Sequence, residues 1–125
     1  MRALVVDDEE DICDFLKHML EDLGFETEYV LAGEEALRLI QAKEWQLVLV
    51  DLKLPSGVTG LHLIDAIRRQ WPKTVIAAMS GYVDVGLRQE TEKLGVHDFL
   101  EKPDDINPDV FVPRIKALLP KIKNT

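Results

Sequence analysis

Two periodicities alternate along this chain, and the alternation limits its possible folds more than any other feature. Apolar runs at "ALVV" (3–6), "LVLV" (47–50) and "TVIAAM" (74–79) read as strands. In "LVLV" no polar residue alternates with the apolar ones, so that strand is expected to be buried on both faces. "FETEYV" (25–30) is a more polar strand candidate, and "HDFL" (97–100) is a short one. The stretches between them have helical spacing. Ile12, Phe15, Leu16, Met19, Leu20 and Leu23 recur every three or four residues, and Gly24 follows as a helix-ending glycine. Ala36, Leu37 and Ile40 form a second stripe, and Leu61, Ile64, Ile67 and Trp71 a third before Pro72. A fourth helix over about 84–94 has only Leu87, Thr91 and Leu94 on one side, so it is either loosely packed or kept exposed for a partner. At the end, Ile115, Leu118, Leu119 and Ile122 predict a short helix begun by Pro113 and ended or kinked by Pro120, after an irregular segment over 103–112.

Five strand-then-helix units with short joints predict an α/β fold, a five-stranded parallel sheet with helices on both faces. At 125 residues there is room for one domain, 1–125, with a real core. The net charge of −8 argues against sequence-independent binding of nucleic acid. Acid is concentrated in "DDEED" (7–11), while "RIKALLPKIKNT" is basic, an asymmetry read as solvated helix ends. Cys13 alone excludes an internal disulfide and a cysteine metal cluster. With no apolar run of membrane-spanning length and no charged-then-apolar leader before the first strand, the expected compartment is a reducing cytoplasm.

Right-handed crossovers put the C-terminal ends of all parallel strands on one edge, where open sheets of this kind bind ligands. Asp7 and Asp8 follow the first strand, Asp51 the third, Ser80 and Gly81 the fourth, and Lys102 with Pro103 the fifth. Two carboxylates about 4 Å apart repel by roughly 4 kcal/mol at an effective dielectric near 20. Lys102 offsets part of this, and a hard divalent cation such as Mg²⁺ (or Mn²⁺) offsets more. Such a site could hold phosphoryl oxygens on the cation, Lys102 and Ser80 while an Asp51 oxygen attacks phosphorus in line.

"LVVDDEE", "LVLVDLKLP", "MSG" and "FLEKP", in order and in register, resemble the receiver domains of two-component response regulators, and they cover essentially the whole chain. The resemblance implies a (βα)5 flavodoxin-like fold of strand order 2-1-3-4-5. It implies that Asp51 is the phosphoacceptor, and that Asp8 binds Mg²⁺ directly, Asp7 through water and Lys53 through its backbone carbonyl. Ser80 would be the switch hydroxyl, Phe99 the rotating aromatic, and Lys102 the phosphoryl-binding amine that pairs with Asp51 beforehand. The Lys102–Pro103 bond is similar to one that is cis in the family. Implied partners are a sensor histidine kinase or phosphotransfer domain and an output partner reading the 84–119 face. Neither nucleic acid nor membrane is expected to be bound by this domain. The only catalysis implied is of its own phosphorylation and dephosphorylation.

Three departures from the family pattern stand out, the proline-rich end of the chain being one of them. "LKLPSGVT" is one residue longer than the common form, so the turn after Pro55 should bulge. Lys53 and Tyr82 each lie two positions past a site residue, where the family tunes the lifetime of its phosphoaspartate. A bulky Tyr82 that shields phosphorus, with a Lys53 poorly suited to orient water, predicts slow self-dephosphorylation. Taken singly, each residue has a plainer role: Asp7 and Asp8 as helix-capping acids, Ser80 and Gly81 as turn residues, Lys102 as a surface lysine and Phe99 as a core aromatic. Trp45 and Trp71 near helix ends should be partly buried, and Met19 and Met79 should be core. A flavin-binding carrier would need a hydroxyl- and glycine-rich phosphate loop where "DDEED" stands. An aspartate-nucleophile phosphatase would need a second acid at Lys53. A degenerate interaction module would not need the intact acid, hydroxyl and lysine set.

Overall fold

The computed structural model describes residues 1–55, 57–82 and 84–123. Strands β1 (Arg2–Val6), β2 (Glu26–Val30), β3 (Leu47–Asp51), β4 (Val75–Ser80) and β5 (Asp98–Glu101) alternate with helices α1 (Glu10–Asp22), α2 (Gly33–Ala42), α3 (Gly60–Gln70), α4 (Val85–Lys93) and α5 (Pro108–Lys123). All pairings are parallel, in the order β2-β1-β3-β4-β5. Every residue of β3 and β4 is buried, as continuous apolar runs between two helical layers require.

Side chains alternate across the pleat and divide the core in two. Ala3, Val5, Leu47, Leu49, Ala77 and Met79 pack against Leu16 and Leu20 of α1 and Phe111 and Ile115 of α5. Leu4, Val6, Val48, Val50, Ile76 and Ala78 pack against Ala36 and Ile40 of α2 and Leu63, Ile64 and Ile67 of α3. Gly24, at φ +98°, ends α1 as its position predicts. Phe15 leaves the expected stripe and is 41% exposed, because the buried side of α1 centres on Cys13, Leu16 and Leu20.

The last helix differs from expectation. It begins at Pro108, preceded by a short 3-10 turn at Asp104–Ile106, and carries Pro113 and Pro120 inside it. Asn107 starts it: its side-chain oxygen accepts from the Asp109 N–H at 3.0 Å, and its carbonyl accepts from Val110 and Phe111. Pro108 then occupies the first helical position, where a missing N–H is harmless. Pro113 and Pro120 face solvent, so water can serve the carbonyls they leave unpaired, while Phe111, Ile115, Leu118 and Ile122 bury the opposite face. Trp45 is also a correction: it is fully buried, its indole N–H donating to the Leu39 carbonyl at 3.1 Å, whereas Trp71 is partly buried. In the longer loop after β3, the Glu34 carboxylate accepts the Val58 N–H at 3.3 Å; the bulge expected there includes Ser56, outside the described residues. Among the described residues no helix is long and apolar enough to cross a membrane.

Candidate functional site

Strand register brings the predicted site residues to one edge. Val6 pairs with Val50, Asp51 with Met79, and Ser80 with Glu101, so β1, β3, β4 and β5 end together. Asp7 extends β1 by one residue, its N–H bonded to the Val30 carbonyl. The Lys102 N–H continues β5 onto the Ser80 carbonyl at 2.8 Å. The Lys102–Pro103 peptide is cis, as the resemblance implied.

The Lys102 ammonium joins two of the acids, donating to Asp7 Oδ2 at 2.8 Å and to Asp51 Oδ2 at 3.0 Å. The remaining oxygens are also held. Asp51 Oδ1 accepts the Lys53 N–H at 2.8 Å, and Asp7 Oδ1 accepts the Glu9 N–H at 2.9 Å. Asp7 therefore serves the loop rather than capping α1, whose N-cap Glu9 makes no side-chain cap bond. Asp7, Asp8 and Asp51 each offer an oxygen within 4.8 Å of the others, with Asp7 and Asp51 buried and Asp8 exposed.

Burial pushes the Asp7 carboxyl above the ordinary carboxylate range, and the nearby Asp51 charge adds to this, despite the opposing bond from Lys102. Burial works to lower the Lys102 ammonium, but bonds to Asp7 and Asp51 and their charges carry it upward instead. Three carboxylates gather here, and the Lys102 ammonium pairs with two of them, Asp7 and Asp51.

These groups open onto a cleft of about 510 Å³. Asp8, Asp51 and Lys102 form its floor, and Lys53 and Tyr82 stand at its rim with the Lys53 ammonium 5.7 Å from the Tyr82 ring centre. Tyr82 is 64% exposed at this rim. Ser80 is at the predicted place, but its hydroxyl is engaged elsewhere. It donates to the Tyr82 carbonyl at 2.6 Å and accepts the Tyr82 N–H at 3.1 Å, closing a turn instead of bonding Asp51. Phe99 lies in the core at 4% exposure, with the Arg88 guanidinium 5.1 Å from its ring centre.

Three contributors were missed in the sequence. Gly60 supports Asp51 from behind: a Cβ there would sit 2.4 Å from the Asp51 carbonyl oxygen and 2.7 Å from Leu52 Cα. The Cys13 thiol donates to the Asp7 carbonyl at 3.3 Å, and burial pushes its pKa up to about 12, so it is a buried structural donor. Arg114 bonds Asp98, Asp105 and the Phe99 carbonyl, tying α5 to the segment that carries Lys102. Glycine just after a helix-capping threonine could have signalled the first; the other two leave no local signal.

Residues 3–113 match the family described as response regulator receiver domain. This chain belongs to that family. The receiver domain is 34% identical over 105 residues to the response regulator protein PilR of Pseudomonas aeruginosa, covering 84% of this chain and 23% of that protein. It is 35% identical over 101 residues to the nitrogen assimilation regulatory protein NtrX of Azorhizobium caulinodans, covering 80% of this chain and 22% of that one. The receiver domain thus spans less than a quarter of the length of both. A CheY-like receiver domain protein from Methanospirillum hungatei has the same fold, with a TM-score of 0.90, 28% identity, and coverage of 98% of this chain and 96% of that one. Receiver domains of this family are signalling switches rather than enzymes acting on a separate substrate.

Proposed function

We propose that this receiver domain accepts a phosphoryl group onto Asp51 from the phosphohistidine of a sensor histidine kinase or phosphotransfer domain, with Mg²⁺ (or Mn²⁺) bound, in the cytoplasm. The observation that carries the reading is the Lys102 ammonium at 2.8 Å from Asp7 and 3.0 Å from Asp51, on the floor of an open cleft where acid remains in excess. An ion pair serving stability alone needs neither the opening nor the third carboxylate.

The donor set fits a hard divalent ion: oxygens only, one carboxylate exposed, and room for waters. Asp8 and Asp51 would hold it directly, Asp7 through water, and the Lys53 carbonyl would complete the protein's share. When bound, the ion supplies the positive charge that lets phosphoryl oxygens enter an acidic cleft. The bond from Lys53 N–H to Asp51 Oδ1 fixes the carboxylate for attack on phosphorus as the bond to histidine nitrogen breaks. Lys102 then follows the charge from the carboxylate to a phosphoryl oxygen. The Ser80 hydroxyl exchanges the Tyr82 carbonyl for another, drawing in the turn over residues 80–82. Phe99 rearranges with it, and the 84–119 face shifts toward a form that an output partner binds. Tyr82 at the rim shields phosphorus from water, and Lys53 is poorly suited to orient an attacking water, so the domain dephosphorylates itself slowly.

Incubation with acetyl phosphate and Mg²⁺ followed by intact-mass measurement tests the reading. One added phosphoryl group is expected on the native protein and none on Asp51→Asn. Equal incorporation in both, or none in either, overturns it.

A further inference from the structure

Phe99 is held between two arginines. Arg114 of α5 donates to its carbonyl at 3.1 Å, and Arg88 of α4 lies over its ring at 5.1 Å. Arg114 is committed elsewhere as well, bonding both carboxylate oxygens of Asp98 and pairing with Asp105 at 3.0 Å. Arg88 is less constrained: its acidic neighbours, Glu92 at 3.5 Å and Glu101 at 3.7 Å, are half-exposed, and such pairs contribute little. Its specific contact is the buried ring.

That contact matters because α4 has few others. Thr91 is its only buried residue, and the Thr91 hydroxyl bonds back to the Arg88 carbonyl of its own helix. Leu87, and Leu94 just past the helix, are partly buried against the core. A hollow of about 200 Å³ between α4 and β5 is lined by Arg88, Glu92, His97 and Phe99, among others. This surface hollow borders Phe99 on the side of α4.

From this geometry we infer that Arg88 is a positioning residue that couples α4 to Phe99, so that movement of the ring changes how firmly α4 is held on the sheet. The inference rests on the reading of Phe99 as the aromatic that rearranges on phosphorylation. It assigns the transmission to one side chain on the weakest-packed helix.

Hydrogen exchange of the α4 amides tests it in four proteins: native, Arg88→Gln, Phe99→Leu and the double variant. Losing a cation–aromatic contact should speed α4 exchange about two- to five-fold in Arg88→Gln, with β3 exchange unchanged. The double variant should exchange no faster than Phe99→Leu, because the arginine acts through the ring. With beryllofluoride and Mg²⁺ the native protein should change its α4 exchange, and Arg88→Gln should bind the ligand without that change. Native exchange in Arg88→Gln, a uniform rise in β3 and α4, or additive effects in the double variant overturns the coupling. Failure of the native protein to bind beryllofluoride instead overturns the phosphoryl reading, and the comparison of the four free proteins is independent of that result.

Discussion

Replacing Lys102 with methionine keeps most of the side chain's volume and removes the ammonium that stands 2.8 Å from Asp7 and 3.0 Å from Asp51. The two carboxylates, with oxygens within 4.8 Å, then repel by at least about 3.5 kcal/mol at an effective dielectric of 20. Two effects reduce the net loss. The desolvation of the ammonium is relieved, and Asp7, already pushed upward by burial, can take a proton. Breaking a buried pair by removing one partner typically destabilises by about 3–5 kcal/mol, and these offsets place the expectation near 3 kcal/mol at pH 7 in EDTA. Urea unfolding followed by fluorescence of the buried Trp45 measures it; with a slope of about 2 kcal/mol/M the midpoint falls by about 1.5 M. Excess Mg²⁺ should bring the variant to within about 1 kcal/mol of the native protein, since the ion returns the missing charge and stabilises by binding. Acid acts in the same direction. A folded Asp7 that holds its proton more tightly than the unfolded chain loses stability as pH rises from the unfolded carboxyl range through its folded pKa, so lowering the pH relieves the variant. In the native protein the raised Lys102 pKa gives stability that is complete below about pH 10.5 and lost as pH rises through the folded value. A variant midpoint within about 0.3 M of native in EDTA, or a deficit that Mg²⁺ leaves unchanged, refutes the electrostatic account.

Gly60→Ala should destabilise by about 1–3 kcal/mol, because its Cβ would overlap the Asp51 carbonyl and Leu52 Cα, which are backbone atoms without freedom to yield. It should also slow labelling by acetyl phosphate, and native labelling and stability would contradict this. Tyr82→Ala opens the rim of the cleft, so its phosphoform should lose phosphate several-fold faster than the native one, measured by intact mass after removal of donor; an equal decay rate removes Tyr82 as a shield. His97 is held below its ordinary pKa by burial and then by the Arg68 and Lys121 charges, while its Nδ1 accepts the Ile76 N–H at 3.2 Å. Its contribution is present above pH 6.5 and lost as pH falls through the folded value, so His97→Asn, which keeps an acceptor without the titration, should flatten the fall in urea midpoint between pH 7 and 5. Identical slopes in the two proteins would exclude His97 as the cause.

Most of the fold was legible because burial on both faces leaves a direct trace. The runs in β3 and β4 admit one reading, and the α1 stripe with Gly24 admits another. Errors came where a local rule met a tertiary gain. Proline rules start the last helix at Pro113, yet burial of Phe111 and the Asn107 cap extend it back to Pro108, with both prolines on the wet side. Nearness to a helix end predicts partial burial of Trp45, but the Leu39 carbonyl that satisfies its indole lies six residues away on α2 and lets it be fully buried. Residue types and strand ends sufficed to place Asp7, Asp8, Asp51, Ser80 and Lys102 at one edge of the sheet. They gave no hint that the Ser80 hydroxyl would bond the Tyr82 main chain, nor that Arg88 would lie over Phe99.

The order of the elements, the faces they bury and the acid, hydroxyl and amine at the strand ends were determined by the sequence alone, since each follows from periodicity within a dozen residues. Tertiary structure alone decided which of those groups touch. Lys102 meets Asp51 across 51 residues of chain and Asp7 across 95, and such contacts depend on register and rotamer. Those are fixed only when the whole sheet and its helices close around one another.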